Sequence, residues 1–111
     1  MIAIIATRAS WLEAGPRGVF VTESLAGEGF IHASTPEQVV GSATKHFAGR
    51  RDLVLLCIDP ARVRAEIRYE GRAGGARYPH IYGPLNLDAV TAVLDLAADP
   101  SGVFSLPEGV A

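Results

Sequence analysis

An unbroken apolar run near the middle of the chain predicts the centre of a sheet. Leu53 to Ile58 are all apolar, and the run is bounded by Asp52 and by Asp59-Pro60. Because a half-exposed strand would alternate, a continuous run of this length predicts a strand that is covered on both faces. The apolar segment from Met1 to Ala6 predicts a second strand.

Helices are predicted directly after two of the strands. Thr7 is expected to cap a helix that runs from Arg8 to about Ala14 and stops at Gly15-Pro16. A second helix begins at a capping box, whose cap, first and third helical positions are Thr35, Pro36 and Gln38. The apolar stripe of this helix continues to a stop at Gly49.

Alternating patterns predict the remaining strands, since successive side chains of a strand point to opposite faces. The segments with this pattern are Gly29 to Ala33, Ala65 to Glu70, Tyr78 to Tyr82 and Ala92 to Leu96. In the second of them, Ile67 and Tyr69 are expected to point inward. Strands outnumber the short helices and interleave with them, which favours an α+β fold with a mixed or split β-sheet over a doubly wound fold.

Length and composition are typical of one folded unit. The chain has 111 residues, 49% of them apolar and 20% charged, so we expect a single domain over 1–111 with a tail from about Asp99 that wraps or frays. The net charge of −2 offers no basic surface for DNA. No apolar stretch approaches the ~20 residues of a membrane-spanning helix, and the lone Cys57 fits a reducing compartment. A cytoplasmic protein without DNA or membrane partners is predicted.

The first candidate site is the turn between a predicted strand and the capped helix. Alternation places His32 and Ser34 on the same face as Phe30. Thr35 follows at the helix N-terminus, where free N–H groups and the helix dipole attract anions such as phosphate. These positions predict ligand-binding roles for His32, Ser34 and Thr35. The alternative is structural, with Thr35 acting as a cap and His32 as a hydrogen-bonded strand residue.

The second candidate site is the strand from Tyr78 to Tyr82, in which Tyr78, His80 and Tyr82 share one face. Two aromatic rings beside an imidazole can stack a nucleobase or a nicotinamide, while their polar atoms supply hydrogen bonds. We therefore predict ligand-binding roles for Tyr78 and Tyr82, and acid–base roles for His80 and Glu70. The alternative is that both tyrosines are half-buried strand aromatics.

Two further chemistries compete for the same residues. His32, His80 and Glu70 would make a three-ligand metal site, but no pair has the short spacing of common metal motifs, so no metal ligand is assigned. Ser34 with His32 would pair a nucleophile with a base, but the G-x-S-x-G elbow is missing. The chain also lacks a P-loop and a G-x-G-x-x-G motif.

Three separated segments together resemble the bacterial domain of unknown function 952 family. In chain order they are Glu28 to Thr35 with Gln38 after it, Asp52 to Pro60, and Tyr78 to Leu85. The resemblance spans most of the chain. The family's usual cysteine after the histidine is Ala33 here, which argues against thiol chemistry at that position.

That family is similar to the ADP-ribosyltransferase-like superfamily, in which a split sheet holds nicotinamide adenine dinucleotide (NAD) in a cleft. The resemblance implies that His32 binds the dinucleotide, that Ser34 and Thr35 form the hydroxyl motif after it, and that Tyr82 stacks on the ligand. The histidine followed by Ser and Thr is also similar to the RNA 2′-phosphotransferases of this superfamily. A catalytic glutamate is not matched, since Glu70 lies on a middle strand and Glu108 in the tail.

Three functions follow from these observations. The first is an ADP-ribosyltransferase-like or phosphotransferase-like enzyme with a cleft for a nucleotide-like or phosphorylated small molecule, for which NAD is a candidate substrate or ligand and no other cofactor is assigned. The second is a non-enzymatic module that binds a small ligand or a protein partner, favoured by the unmatched glutamate. The third is a metal-dependent hydrolase. Convergence of His32 and His80 on one cleft would favour a shared site.

Overall fold

The computed structural model describes residues 1–110, and within them the chain forms eight strands and three α-helices. In chain order they are β1 (Ile2–Thr7), α1 (Arg8–Arg17), β2 (Val19–Phe20), α2 (Glu23–Glu28), β3 (Ile31–His32), α3 (Val39–His46), β4 (Leu53–Ile58), β5 (Glu66–Glu70), β6 (Tyr78–Tyr82), β7 (Leu85–Asn86) and β8 (Val90–Leu96). Short 3-10 turns span Pro36–Gln38, Pro60–Arg62 and Leu87–Ala89. The fold is therefore α+β, as predicted.

The strands form three small sheets rather than one. Their orders are β1-β4-β8, β2-β7 and β3-β6-β5, and every pairing among these strands is antiparallel. Of the two predicted arrangements, the split one is correct. Strand β4 is the centre of the largest sheet, and all six of its residues are buried. The prediction from its unbroken apolar run is confirmed.

Two hydrophobic cores cover the opposite faces of the β1-β4-β8 sheet. One contains Leu56 of β4 and residues of the two smaller sheets, including Phe20, Ile31, Ile81 and Leu85. The other contains Leu53 and Leu55 of β4 together with Val39, Ala43 and Phe104. Phe104 is buried, so the tail wraps onto the second core, and Ala98 forms a bridge with Phe104.

The β3-β6-β5 sheet presents one apolar face and one polar face. Ile31 of β3 pairs with Ile81 of β6, and both are fully buried against the first core. The next pair, His32 and His80, points to the opposite face because side chains alternate along each strand. Burial of the isoleucines therefore fixes the register that places both histidines on the same polar face.

Helix α1 continues past the point at which we expected it to stop. It includes Pro16 and ends at Gly18, whose φ of 82° is left-handed and whose N–H donates to the carbonyl of Ala14 at 2.8 Å. Proline removes only one N–H donor here, and one residue remains after it in the helix. The predicted stop at Gly15-Pro16 is wrong because a glycine in the αL conformation closes the helix instead.

Three further differences concern burial and element bounds. Tyr69 was expected to point inward, but it is 48% exposed because its position in β5 lies at the free edge of the sheet. Strand β3 is limited to Ile31–His32, and the capping box opens a 3-10 turn before α3, which ends at His46 rather than at Gly49.

Cys57 behaves as a small buried hydrophobic residue. It lies within β4, and burial raises the pKa of its thiol. None of the helices in residues 1–110 combines the length and the apolar character that crossing a membrane requires.

The connection between β5 and β6 depends on glycine at its first position. A Cβ added to Gly71 would lie 2.1 Å from the carbonyl oxygen of Ala76, so the backbone would have to shift. We expect Gly71→Ala to lower the free energy of unfolding by about 1–3 kcal/mol, measured by chemical denaturation. Gly27→Ala in α2 is the control, because nothing lies within 4 Å of its added Cβ. Equal effects of the two substitutions would contradict this reading.

Candidate functional site

His32 and His80 lie directly opposite each other on neighbouring strands. They are register partners in the β3–β6 pair, and their ring centroids are 5.4 Å apart with planes at 79°. The sequence predicted the face of each histidine separately, and strand pairing brings the two together. This pair is the centre of the candidate site.

Phe30 packs over both imidazoles. Its ring stacks on His80 at a centroid distance of 4.0 Å with the planes 14° apart, and it meets the edge of His32 at 4.9 Å. Stacking against an aromatic ring restricts the plane in which the His80 imidazole can lie. Phe30 therefore holds the ring while its two nitrogens remain free to form hydrogen bonds in that plane.

Glu70 connects His80 to Tyr82. Its Oε1 atom accepts a hydrogen bond from Nδ1 of His80 at 2.9 Å and another from the Tyr82 hydroxyl. These two donors, first Tyr82 and then His80, hold the pKa of Glu70 below its usual range. The same contact raises the pKa of Tyr82, because a carboxylate beside the hydroxyl opposes its ionisation.

Tyr82 is half-buried and contacts two neighbouring side chains. The guanidinium of Arg68 lies over its ring at 4.4 Å from the centroid, and Phe30 packs against it at 5.3 Å. Arg68 is held in turn by Glu66 at 2.9 Å. The polar face of β5 thus forms a continuous network from Glu66 to His80.

His32 has its own carboxylate partner. Nε2 of His32 lies 3.2 Å from Oε1 of Glu28, the last residue of α2. The two side chains are 56% and 54% exposed, so solvent screens this contact. His32 therefore lies at the accessible rim of the site with Glu28 of α2 beside it.

An open cleft of about 830 Å³ runs between the two histidines and helix α3. Ser34 is buried in its wall, and its hydroxyl donates to Ser42 of α3 at 3.1 Å. The charged and imidazole side chains that line the cleft, apart from His32 and His80, are Glu28, Lys45, His46, Glu70 and Arg72. Polar side chains therefore stand on both sides of a cleft that also has apolar lining residues such as Ile5 and Phe47.

Five of the seven predicted site residues line this cleft: His32, Ser34, Glu70, Tyr78 and His80. Thr35 and Tyr82 are not among its lining residues. The N–H of Thr35 donates to Oε1 of Gln38 at 3.0 Å, so the capping box itself uses the helix N-terminus that was predicted to hold an anion.

Comparison with known families shows to which of them the chain belongs. The family model described as "Protein of unknown function (DUF952)" matches residues 5–93, which include both histidines and Glu70. The chain belongs to the DUF952 family. No match is found among the curated proteins.

Solved structures of protein CC0527 from Caulobacter crescentus are similar to this DUF952 chain. The X-ray structure of protein CC0527 from Caulobacter crescentus is 39% identical, covers 95% of this chain and 93% of that one, and superposes with a TM-score of 0.85. The solution NMR structure of the same protein is 38% identical, covers 99% and 96% of the two chains, and has a TM-score of 0.82.

The sequence reasoning missed the residues that face the DUF952 histidines across the cleft. Ser42, Lys45 and His46 lie at i, i+3 and i+4 of α3 and therefore share one side of that helix. Arg72 comes from the glycine-rich connection after β5. The helical spacing was visible in the sequence, but which side of α3 meets the sheet is decided by tertiary packing.

No metal cluster is apparent in the part of the chain that the structure describes. Within residues 1–110, no group of three or more His, Cys, Asp and Glu side chains is placed to hold a metal ion. Glu70, the carboxylate suggested for such a site, accepts a hydrogen bond from Nδ1 of His80.

The lowered pKa of Glu70 makes part of the stability of this DUF952 chain depend on pH. Since the folded pKa lies below the unfolded one, the contribution is complete above the unfolded pKa and is lost as pH falls through the folded pKa. We expect the difference in unfolding free energy between wild type and Glu70→Gln to shrink in acid. Denaturant titrations at neutral and acidic pH measure it, with Glu37→Gln as the control, because Glu37 is exposed and forms no ion pair with any side chain of residues 1–110.

Proposed function

We propose that the cleft binds a small phosphorylated or nucleotide-like ligand. The observation that carries the proposal is the convergence of His32 and His80 on one cleft, opposite the cationic side chains of Lys45 and Arg72. His32 and His80 lie on one face of the β3-β6-β5 sheet, and the hydrophobic core lies on the other face. Packing of the core therefore does not explain why the two imidazoles meet. Their exposure to a shared cleft is typical of a binding site.

The size of the cleft suits a small molecule. Ligand sites generally enclose roughly 300–1,000 Å³, and the cleft of about 830 Å³ falls within that range. Tyr78 lies at its edge and is partly exposed, so its ring is the accessible aromatic surface for a base or another planar group. This role replaces the one that the sequence suggested for Tyr82.

Two cations of the cleft are available to an anionic group of a ligand. Both carboxylates on its surface, Glu28 and Glu70, are hydrogen-bonded to histidines. Lys45 and Arg72, by contrast, form no ion pair with any side chain of residues 1–110. Two cations without a protein counter-charge are suited to bind phosphoryl oxygens, which accept charge-assisted hydrogen bonds.

The resemblance to the ADP-ribosyltransferase-like superfamily supports the nucleotide part of the proposal. It implies a strand histidine that contacts a dinucleotide, and His32 occupies that position. In the proposed arrangement His32 contacts the ligand at the rim, Ser34 and Ser42 bind it from the wall, and Lys45 and Arg72 bind its phosphates. A second candidate is an enzyme of transferase type acting on the same ligand, favoured by the hydrogen bond between His80 and Glu70.

Ligand-observed NMR with NAD, ADP-ribose, ATP and glutathione tests the proposal. We expect signal from at least one phosphorylated compound and none from glutathione, and we expect His32→Ala to weaken binding about tenfold, the loss of one good hydrogen bond. Thr35→Ser is the control, because Thr35 lies outside the cleft and serine keeps the cap. Failure of all three phosphorylated compounds to bind the folded wild type would refute the proposal.

A further inference from the structure

We infer that His80 is an acid–base residue that accepts a proton at Nε2, and that Tyr82 is the positioning residue that holds it ready. The inference rests on the proposed function for its substrate, a phosphorylated ligand that also carries a hydroxyl group. It does not need that ligand for its test. Its basis is the hydrogen-bond network on the polar face of β5 and β6 together with the solvent access of the His80 ring.

The network fixes which nitrogen of His80 carries the proton. An ionised carboxylate can only accept hydrogen bonds, so Glu70 requires a hydrogen on Nδ1 of His80, which lies 2.9 Å away. The Tyr82 hydroxyl must donate to the same Oε1 atom for the same reason. Neutral His80 therefore has its lone pair on Nε2, the nitrogen that points away from Glu70.

Nε2 of His80 is open to the cleft. It forms no hydrogen bond with any atom of residues 1–110. In the same part of the chain, every buried side-chain nitrogen or oxygen has a hydrogen-bond partner. An unpartnered Nε2 must therefore be accessible, and the His80 side chain, which is 14% exposed, lines the cleft. The geometry is that of a base that a substrate hydroxyl can reach.

Tyr82 acts through Glu70 and not on the ligand. Its ring is covered by Arg68 on one side and approached by Phe30, and it does not line the cleft. What it offers is a hydroxyl aimed at Oε1 of Glu70. This second donor holds the carboxylate in place and ionised, so that Glu70 can in turn hold the His80 tautomer.

Charged and imidazole side chains face His80 from β5, from β3 and from across the cleft. From β5 the ring faces Glu70 and Arg68. Arg68 is the register partner of His80 and forms an ion pair with Glu66. From β3 it faces His32, which Glu28 contacts. Across the cleft lie Lys45, His46 and Arg72. Glu70 is the carboxylate in direct contact with the ring, through Oε1 and Nδ1 of His80.

The proposed step is a proton transfer. A ligand or water hydroxyl gives its proton to Nε2, the O–H electron pair stays on the oxygen, and His80 becomes an imidazolium whose charge Glu70 balances. That oxygen attacks the phosphorus of the ligand's phosphoryl group, and a new P–O bond forms as the P–O bond to the leaving oxygen breaks with its electron pair. The leaving oxygen then takes the proton from Nε2, which restores neutral His80. No oxidant, metal or cofactor enters the balance.

The test is NMR of the intact chain without ligand. Nitrogen-15 shifts of the histidine rings should show His80 protonated at Nδ1 alone at a pH where it is neutral, and Glu70→Gln should give a mixture of tautomers. Tyr82→Phe should raise the pKa of Glu70 toward its ordinary value, read from the carboxyl carbon-13 shift. Tyr78→Phe is the matched control, because Tyr78 lies on the same face of β6 and makes no hydrogen bond to Glu70.

A mixed His80 tautomer in wild type would overturn the inference, and so would equal effects of Tyr82→Phe and Tyr78→Phe on Glu70. Neither result depends on ligand binding, so failure of the inference is distinct from failure of the proposed function. Tyr82→Phe removes the hydroxyl oxygen and keeps the ring that packs against Arg68 and Phe30. The amide NMR spectrum of this variant should therefore remain that of the folded chain. If it does not, the same pKa is measured in Tyr82→Leu, which removes the hydroxyl and introduces no new hydrogen-bond donor.

Discussion

Leu56→Ala is expected to lower the free energy of unfolding by about 2–5 kcal/mol, the usual range for truncating a buried leucine. Leu56 is completely buried in the central strand β4, between β1 and β8. The loss combines the transfer free energy of the removed carbons with the cavity left beside Ile4 and Val93, its register neighbours. Urea denaturation followed by circular dichroism measures the change.

Val93→Ala provides the matched control for that substitution. Val93 pairs directly with Leu56 from the edge strand β8 but is 39% exposed, so its truncation removes less buried surface. We expect a loss of under about 1 kcal/mol. If the two substitutions cost the same, the central sheet would not be covered on the face that Leu56 occupies.

Charge reversal at Arg72 is expected to weaken binding of a phosphorylated ligand at least about a hundredfold. Loss of a charge-assisted hydrogen bond costs roughly 1.5–3 kcal/mol, and a glutamate adds repulsion of the phosphate. Arg72 lines the cleft and forms no ion pair with another side chain of the described residues, so its positive charge is available to a ligand. Titration calorimetry with the compound that binds wild type best measures the loss.

Arg77→Glu is the control, because it makes the same change of charge in the same connection but outside the cleft lining. The carbonyl of Arg77 accepts a hydrogen bond from Gln38, and this contact involves only the backbone. We expect less than a threefold effect, mostly from long-range charge and therefore reduced by salt. Equal losses for both variants would mean that net charge and not a localised site attracts the ligand.

The elements of the fold were largely readable from the sequence because local signals were strong. The unbroken run from Leu53 to Ile58, the alternation from Tyr78 to Tyr82 and the capping box at Thr35 each specify a conformation over a few residues. A split sheet was only one of the two predicted alternatives, and its division into three parts was not predicted, because strand pairing depends on residues far apart in the chain. The predicted end of α1 was wrong because Gly18, two residues beyond Pro16, closes the helix in the αL conformation.

The candidate site was predictable one strand at a time. Alternation alone placed His32 with Phe30 and His80 with Tyr82, and the structure brings these faces together. The role of Tyr82 was not predictable, because it depends on Arg68 covering the ring and on Glu70 reaching the hydroxyl. Lys45 and Arg72 were missed because a cation on a helix or in a loop carries no local signal that it faces a cleft.

The cross-strand pairing of His32 with His80 also makes the site depend on a non-local contact of the folded chain. These residues are distant in sequence, so the loop between them must close before their strands can pair, and such non-local contacts form slowly. A chain in which β3 is not paired with β6 would not hold the two histidines side by side. A ligand that requires both histidines would therefore bind only completed molecules, and at concentrations above its dissociation constant it would protect them from unfolding.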